Sequence, residues 1–285
     1  MRPTKQDAMS DFQLEAIDYL DDEFAEESKA ETAAPATPKT PPAKRQSVVL
    51  KEDVELDFRT KEAYKTLRAN LEFVGDDVKV IAVTSCTPNE GKSSVSMNLA
   101  KAIAESGKKV ILIDADLRKS VLVGRYKTGA VRCGLTHFLS GQKSFQEICC
   151  STNVRNLYIA FAGPVPPNPS ELLGGKYFSV AIQKLRDVFD YVIVDTPPLG
   201  SVIDSAIVSK QCDGSIMVVA CNEISYRFAQ RVKAQLEKAE GRILGCVLNK
   251  VPINKKGYYS KYYDKYYGDY YYGGNYYGTK SSKGY

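Results

Sequence analysis

The sequence predicts an α/β fold: a mostly parallel sheet with helices on both faces, carrying disordered tails at its two ends. Three observations predict it. Val80-Ile81-Ala82-Val83, Val110-Ile111-Leu112-Ile113 and Val192-Ile193-Val194 are continuous apolar runs, the composition of strands buried on both faces. Amphipathic stretches at helical spacing lie between them. Each run ends in a polar turn, and an open parallel sheet receives its ligands outside those carboxyl ends.

Length and charge bound what this fold can do. With 285 residues the chain holds one domain of about 200 residues plus appendages. Its net charge of +5 conceals opposed ends. Residues 1–31 carry ten acids against Arg2, Lys5 and Lys29, whereas residues 254–285 carry six lysines against Asp264 and Asp269. The two ends therefore attract each other or different partners. Seven scattered cysteines without a C-x-x-C pair read as small buried hydrophobes in a reducing cytosol, and a single histidine, His137, argues against a His-built metal site or triad. No stretch approaches 18 consecutive apolar residues, and the acidic start is unlike a signal peptide. The expectation is a cytoplasmic protein that reaches the inner face of the membrane only through a partner.

In chain order, residues 1–48 form an N-terminal extension. Asp11–Phe24 has the spacing of a short acidic helix, read either as part of a solvated tail or as a partner-docking element, and Ala33–Ala43 is a Pro/Ala/Thr linker. The folded domain spans 49–253. It starts with a helix over Arg59–Leu71 that puts Ala63, Leu67 and Leu71 on one stripe. Glu62, Lys65 and Arg68, spaced three apart, share a neighbouring face. After the first strand and its loop, Ser94–Ser106 places Val95, Leu99, Ala102 and Ile103 on one helical face. Leu157–Ala160 reads as a strand, and Gly163–Leu173 as a stiff loop entering a short helix with Pro169 in its first turn. Ser215–Ala220 and Ile243–Asn249 are further strands around an amphipathic helix near Tyr226–Ala239. Residues 254–285 hold no aliphatic core, and twelve of the chain's 19 tyrosines fall in the last 28 positions.

The chemistry sits at the strand tips. Cys86-Thr87-Pro88-Asn89-Glu90-Gly91-Lys92-Ser93-Ser94 follows a strand and opens a helix, the order required of a P-loop, although Cys86 stands where the pattern has glycine. Thr87 to Ser94 would cradle the phosphates of ATP with backbone N–H groups and the helix N-terminus. Lys92 would reach the β and γ oxygens. The second run ends in Asp114-Ala115-Asp116-Leu117-Arg118 and the third in Asp195-Thr196-Pro197. Ser93, Asp116 and Asp195 together form a hard-oxygen set for Mg²⁺. Asp114 is then left to orient an incoming hydroxyl and take its proton, so that Asp114, Lys92 and Asp116 carry catalysis of phosphoryl transfer. The acceptor is indicated by the tail. Tyr258, Tyr259, Tyr262, Tyr263, Tyr266, Tyr267, Tyr270, Tyr271, Tyr272, Tyr276, Tyr277 and Tyr285 are a tethered supply of hydroxyls at high effective concentration.

These motifs resemble those of the bacterial tyrosine kinases (BY-kinases) associated with capsular or exopolysaccharide synthesis. Cys86–Ser93 resembles their relaxed Walker A loop, Ile111–Arg118 their Walker A′ element (D-x-D-x-R), and Val192–Pro197 their Walker B. Glu62-x-x-Lys65-x-x-Arg68 resembles their E-x-x-R-x-x-R oligomerisation motif, with Lys65 where arginine is usual; lysine cannot fork to a carboxylate. The resemblance implies ATP and Mg²⁺ as cofactors, a homo-oligomeric ring when unphosphorylated, and autophosphorylation of the tyrosine cluster in trans. It also implies a transmembrane activator of the polysaccharide co-polymerase kind, a tyrosine phosphatase and external protein substrates. Two rival readings are a partition or division-site ATPase of the same fold and a nucleic-acid-binding protein with a Lys/Tyr tail. The first lacks its signature lysine, since that position is Thr87. In the second, Asp264 and Asp269 dilute the basic patch, so no nucleic-acid partner is expected.

Overall fold

A computed structural model describes residues 46–51 and 55–252. The acidic helix expected over Asp11–Phe24 and the tyrosine tail lie outside the described residues. The chain divides between Asn249 and Lys250, and the unit ending at Asn249 holds the whole sheet and its helices.

Eight strands make one sheet: β1 (Ser47–Val48), β2 (Val80–Ser85), β3 (Val110–Asp114), β4 (Cys149–Thr152), β5 (Leu157–Ala160), β6 (Tyr191–Asp195), β7 (Gly214–Ala220) and β8 (Ile243–Asn249). Their order is β1-β4-β5-β3-β6-β2-β7-β8. Every neighbouring pair is parallel except β4 with β5. The motif-bearing strands β3, β6 and β2 are thus adjacent at the centre, with Asp114 in register with Asp195 and Val83 also opposite Asp195. All of β2 and β3 is buried, as apolar runs covered on both faces require.

Helices cover the two faces. On one lie α1 (Phe58–Glu72), capped by Asp57, whose side chain accepts from Thr60 N–H, and α2 (Lys92–Glu105). Val95, Leu99, Ala102 and Ile103 are all buried, as their spacing predicts. In α1 the inward stripe is Tyr64, Leu67 and Leu71, while Ala63 is exposed. The larger ring took the core position that the spacing of Ala63 also satisfied. On the other face, Phe145, Phe178, Leu185 and Phe189 pack under β3 and β6. They come from α5 (Phe145–Ile148) and from α7 (Lys176–Val188) with its C-cap Phe189. Between these elements lie α3 (Leu122–Arg125), α4 (Leu135–Leu139) and α6 (Pro169–Gly174), the last with Pro169 in its first turn. Finally, α8 (Asp204–Ser209) follows β6 and α9 (Tyr226–Lys238) precedes β8.

One boundary and one strand differ from the sequence expectation. Residues 46–48, placed by sequence in the N-terminal extension, form the sheet's edge. Ser47 and Val48 pair with β4, and the Gln46 amide donates to the Glu147 carbonyl at 2.7 Å. The antiparallel β4, Cys-Cys-Ser-Thr, is too short and too polar at its end to show a strand period. Five of the seven cysteines are buried, as their apolar surroundings imply. His137 serves as a cap, its Nδ1 accepting from Gly134 N–H at 3.2 Å.

Candidate active site

The three motif-bearing strands deliver their tips to one point. The P-loop leaves β2 at Ser85, exposes Pro88 and Asn89 at its turn, and enters α2 through Gly91. Gly91 has φ +92°, a conformation open to glycine, and a Cβ there would collide with Asn249 Nδ2. Asn249, at the end of β8, donates from that nitrogen to the Glu90 carbonyl at 2.8 Å. Glu90 itself is fully buried and faces inward. Its carboxylate accepts from Thr87 N–H and Ala220 N–H (the latter at 2.9 Å), tying the loop to the end of β7. Of the loop residues assigned to nucleotide binding, Glu90 therefore offers its backbone, while its side chain braces the loop. Ser94 Oγ accepts a hydrogen bond from Arg125 of α3. Cys86, where glycine was expected, is buried against Leu199 and Met217, so the departure from the pattern fills core rather than obstructing the turn.

Lys92 is the centre of the cluster. Its Nζ lies 3.2 Å from Asp116 Oδ2, 3.4 Å from Asp195 Oδ2 and 3.2 Å from Ser93 Oγ. Burial alone would lower its pKa, but Asp195, Asp116 and Asp114 outweigh that and push it up, so it remains an ammonium. Ser96, a residue the motif does not single out, places Oγ 3.0 Å from Asp195 Oδ1 and holds that carboxylate from α2. Lys119 N–H donates to Asp116 Oδ1 at 3.0 Å and fixes the second carboxylate.

Asp114 stands apart from this pairing. It is fully buried, accepts from Ser120 Oγ through one oxygen, and its Oδ1 has no hydrogen-bond partner. Burial, then the nearby Asp195 carboxylate, pushes its pKa up to about 7. An unsatisfied buried oxygen on a group poised near neutrality is chemically able to accept a proton from an incoming hydroxyl.

The donor set fits Mg²⁺. Asp116, Asp195 and Ser93 are hard oxygens around one cation, the Lys92 ammonium. Among the described residues no group of three or more His, Cys, Asp or Glu side chains has the geometry of a metal site. Two carboxylates and a hydroxyl are the incomplete shell that Mg²⁺ ordinarily completes with water and substrate phosphates.

The trio Glu62, Lys65 and Arg68, expected from the sequence to serve oligomerisation, divides in this structure. Lys65 Nζ pairs with Glu62 at 2.7 Å on the exposed side of α1. Arg68 turns inward, donating from Nη1 to the Ala102 carbonyl at 3.1 Å and lying 3.6 Å from Glu72. Glu62 and Lys65 project together, and Arg68 ties α1 to α2.

A nucleotide cradle, an ammonium between two carboxylates and a third acid at the central strand tips define a P-loop phosphoryl-transfer domain. The family model of the AAA domain matches residues 78–243. The tyrosine-protein kinase CpsD of Streptococcus pneumoniae is 43% identical over 213 residues, covering 74% of this chain and 94% of that protein. The kinase domain of the Escherichia coli tyrosine kinase ETK superposes with a TM-score of 0.63 at 31% identity, covering 68% of this chain and 78% of the other. The septum site-determining protein MinD from Pyrococcus horikoshii, complexed with Mg-ADP, superposes with a TM-score of 0.54 at 24% identity over 62% of this chain and 72% of its own, a likeness of fold alone. The chain belongs to the AAA-domain family and, within it, to the bacterial tyrosine kinases: it is a protein-tyrosine kinase.

Proposed function

We propose that this kinase uses Mg-ATP to phosphorylate its own C-terminal tyrosines, each tail being presented to the site of a neighbouring copy in a ring. The observation that carries the reading is the Lys92 ammonium held between Asp116 and Asp195, with Asp114 buried and half-satisfied beside them. Thr87 to Ser94 surround the phosphates, and Lys92 swings from its carboxylates to the β and γ oxygens. Mg²⁺ held by Ser93, Asp116 and Asp195 would neutralise charge on the β and γ phosphates. The tyrosine hydroxyl gives its proton to Asp114 as its oxygen bonds to the γ-phosphorus. The bond from that phosphorus to the β,γ-bridging oxygen breaks, and ADP leaves.

Lys65 and Glu62 on the exposed face of α1 support a ring contact. Each phosphotyrosine adds about −1.5 to −2 charge at pH 7. Three or so cancel the tail's excess of lysine and repel it from the acidic site, so phosphorylation opens the ring and a tyrosine phosphatase restores it. Among the described residues no helix is long and apolar enough to cross a membrane. In this reading a transmembrane co-polymerase protein recruits and activates the kinase at the inner face of the membrane, where it controls capsular or exopolysaccharide synthesis and acts on further protein substrates. Incubated with Mg-ATP, the purified chain is expected to carry phosphate on residues 258–285 by mass spectrometry, and Lys92→Met to carry none. Phosphate released only as the free inorganic ion would instead favour an ATPase switch.

A further inference from the structure

Beyond the residues that meet the nucleotide, one buried acid ties the loops of the site together. Asp204, the first residue of α8, is fully buried. It accepts Arg118 Nε on Oδ2 at 2.7 Å and Arg118 Nη2 on Oδ1 at 3.0 Å, a two-pronged pairing. Ser170 Oγ, in the first turn of α6, donates to the same Oδ1 at 2.7 Å and lies 3.0 Å from Arg118 Nη2. Burial alone would raise the pKa of Asp204. The bonds from Arg118 and Ser170 outweigh it and hold the group below the usual carboxylate range, so the clamp stays ionised through neutral pH.

What the clamp holds is decided by its neighbours. Arg118 lies two residues beyond Asp116, in the turn that Lys119 N–H closes onto the Asp116 carboxylate. Ser205, directly after Asp204, is also fully buried and donates to the carbonyl of Pro197, two residues beyond Asp195. Thr84 of β2 donates to that same oxygen at 3.0 Å. Adjacent residues of one short helix therefore grip the turn that carries Asp116 and the turn that carries Asp195. Those two carboxylates converge on Lys92, and one further backbone bond, Ala115 N–H to the Asp195 carbonyl at 2.8 Å, extends the ladder between their loops without touching either side chain.

We infer that Asp204 is a positioning residue for phosphoryl transfer: through Arg118 and the adjacent Ser205 it sets the separation of Asp116 and Asp195. It touches neither nucleotide nor metal in this scheme. Replacing one oxygen by an NH₂ keeps the shape of the side chain, but that group faces a guanidinium donor and the pairing loses one prong.

The inference rests on the kinase reading above, and the test separates the two. The full chain is assayed with Mg-ATP for phosphotyrosine formation across a range of Mg²⁺, and for binding of a fluorescent ADP analogue without metal. Asp204→Asn is expected to lower kcat roughly ten- to a hundredfold, the cost usual for loss of an outer support of a metal ligand. The Mg²⁺ concentration for half-maximal rate should rise about tenfold or more by the same reasoning, with metal-free nucleotide binding within about twofold because Lys92 and the loop amides are untouched. Arg118→Lys should reproduce the Mg²⁺ shift, and the double variant should be no worse than the more affected single one, since both remove one pairing. A folded Asp204→Asn enzyme with wild-type kcat and Mg²⁺ dependence overturns the inference. So does one whose melting temperature falls while its Mg²⁺ dependence stays put, or one that loses metal-free nucleotide binding in step with kcat. Should Asp204→Asn fail to fold, Arg118→Lys and Ser170→Ala carry the test, and an unchanged Mg²⁺ dependence in both overturns it. A wild-type chain that forms no phosphotyrosine defeats the kinase reading, whereas an active wild type beside an indifferent Asp204→Asn defeats this inference alone.

Discussion

Two clusters in this molecule use the same groups to different ends. At the strand tips, a lysine meets two carboxylates; on α1, Lys65 meets Glu62 with Arg68 one turn on. The Lys92 side chain is 10% exposed and its partners 8% and 1%, while Lys65 is 52% exposed and Glu62 32%. Buried, an ammonium cannot leave its carboxylates without a replacement charge, which in the proposed function phosphate and metal would supply. In water the pair of α1 contributes tenths of a kcal/mol to the monomer, and its energy is free to be spent on another surface. In the function proposed above, burial more than residue type separates the reacting centre from the contact face.

The largest effect expected from breaking the first cluster is that of Lys92→Met. It leaves Asp116 and Asp195 facing each other without a cation, and breaking such a buried pairing costs about 3–5 kcal/mol. Phosphotyrosine formation should fall about 10²- to 10³-fold, the range for loss of a preorganised charge partner. Calorimetry and phosphotyrosine blotting of the same preparation check both; a variant of wild-type activity would show that the lysine does not meet the nucleotide. Gly91→Ala comes next. Its Cβ collides with the Asn249 amide and its φ of +92° disfavours a side chain, a strain of order 1–3 kcal/mol. Nucleotide affinity by titration should weaken about tenfold or more, the equivalent of about 1.4 kcal/mol of that strain. Unchanged affinity would mean that the loop is looser than its bracing by Glu90 and Asn249 implies.

How much of this was legible in the sequence depends on the range of each interaction. Lys92, Ser93, Asp116 and Asp195 were readable because each sits at a fixed offset from an apolar strand, and the parallel fold then carries the strand tips together. Asp114 was legible as the acid left over, but its missing hydrogen bond was not, because that depends on how Ser120 folds back. Glu90 read as a phosphate-loop residue on position alone; its side chain turns to Ala220, 130 residues away, and no local pattern reports that. Asp204 and Asn249 were missed for the same reason, their partners lying 86 and 159 residues off in sequence. The α1 stripe failed between two residues, Ala63 and Tyr64, both of which satisfy the period, and the core took the ring.

A smaller effect than those of Lys92 and Gly91 tests the burial of Asp114 through pH. Its folded pKa of about 7 lies above the ordinary 3.8, so the folded state holds a proton that the unfolded chain releases. The stability this proton lends is complete below pH 3.8 and is lost as pH rises through about 7. Above that, an ionised carboxylate is held in a dry site. Asp114→Asn removes the titration, so the variant's gain in melting temperature relative to wild type should be clearly larger at pH 8 than at pH 5, where only part of the window from 3.8 to about 7 has been crossed. Its phosphotyrosine formation should be low at both. An equal gain at the two pH values would place the charge of Asp114 in contact with water.

The smallest expected effect belongs to the exposed pair. Glu62→Ala with Lys65→Ala should change monomer stability by no more than about 0.5 kcal/mol, because the 2.7 Å bridge is solvated on both sides. Arg68 is left in place because it fastens α1 to the Ala102 carbonyl, and removing it would confound assembly with folding. If the pair serves a ring, light scattering of the unphosphorylated chain should move from oligomer toward monomer while the melting temperature stays within about a degree or two, as so small a stability change implies. A monomer signal that appears only with a fallen melting temperature would show that this face holds α1 on the sheet and joins no neighbour. An oligomer mass that does not move would take the contact elsewhere.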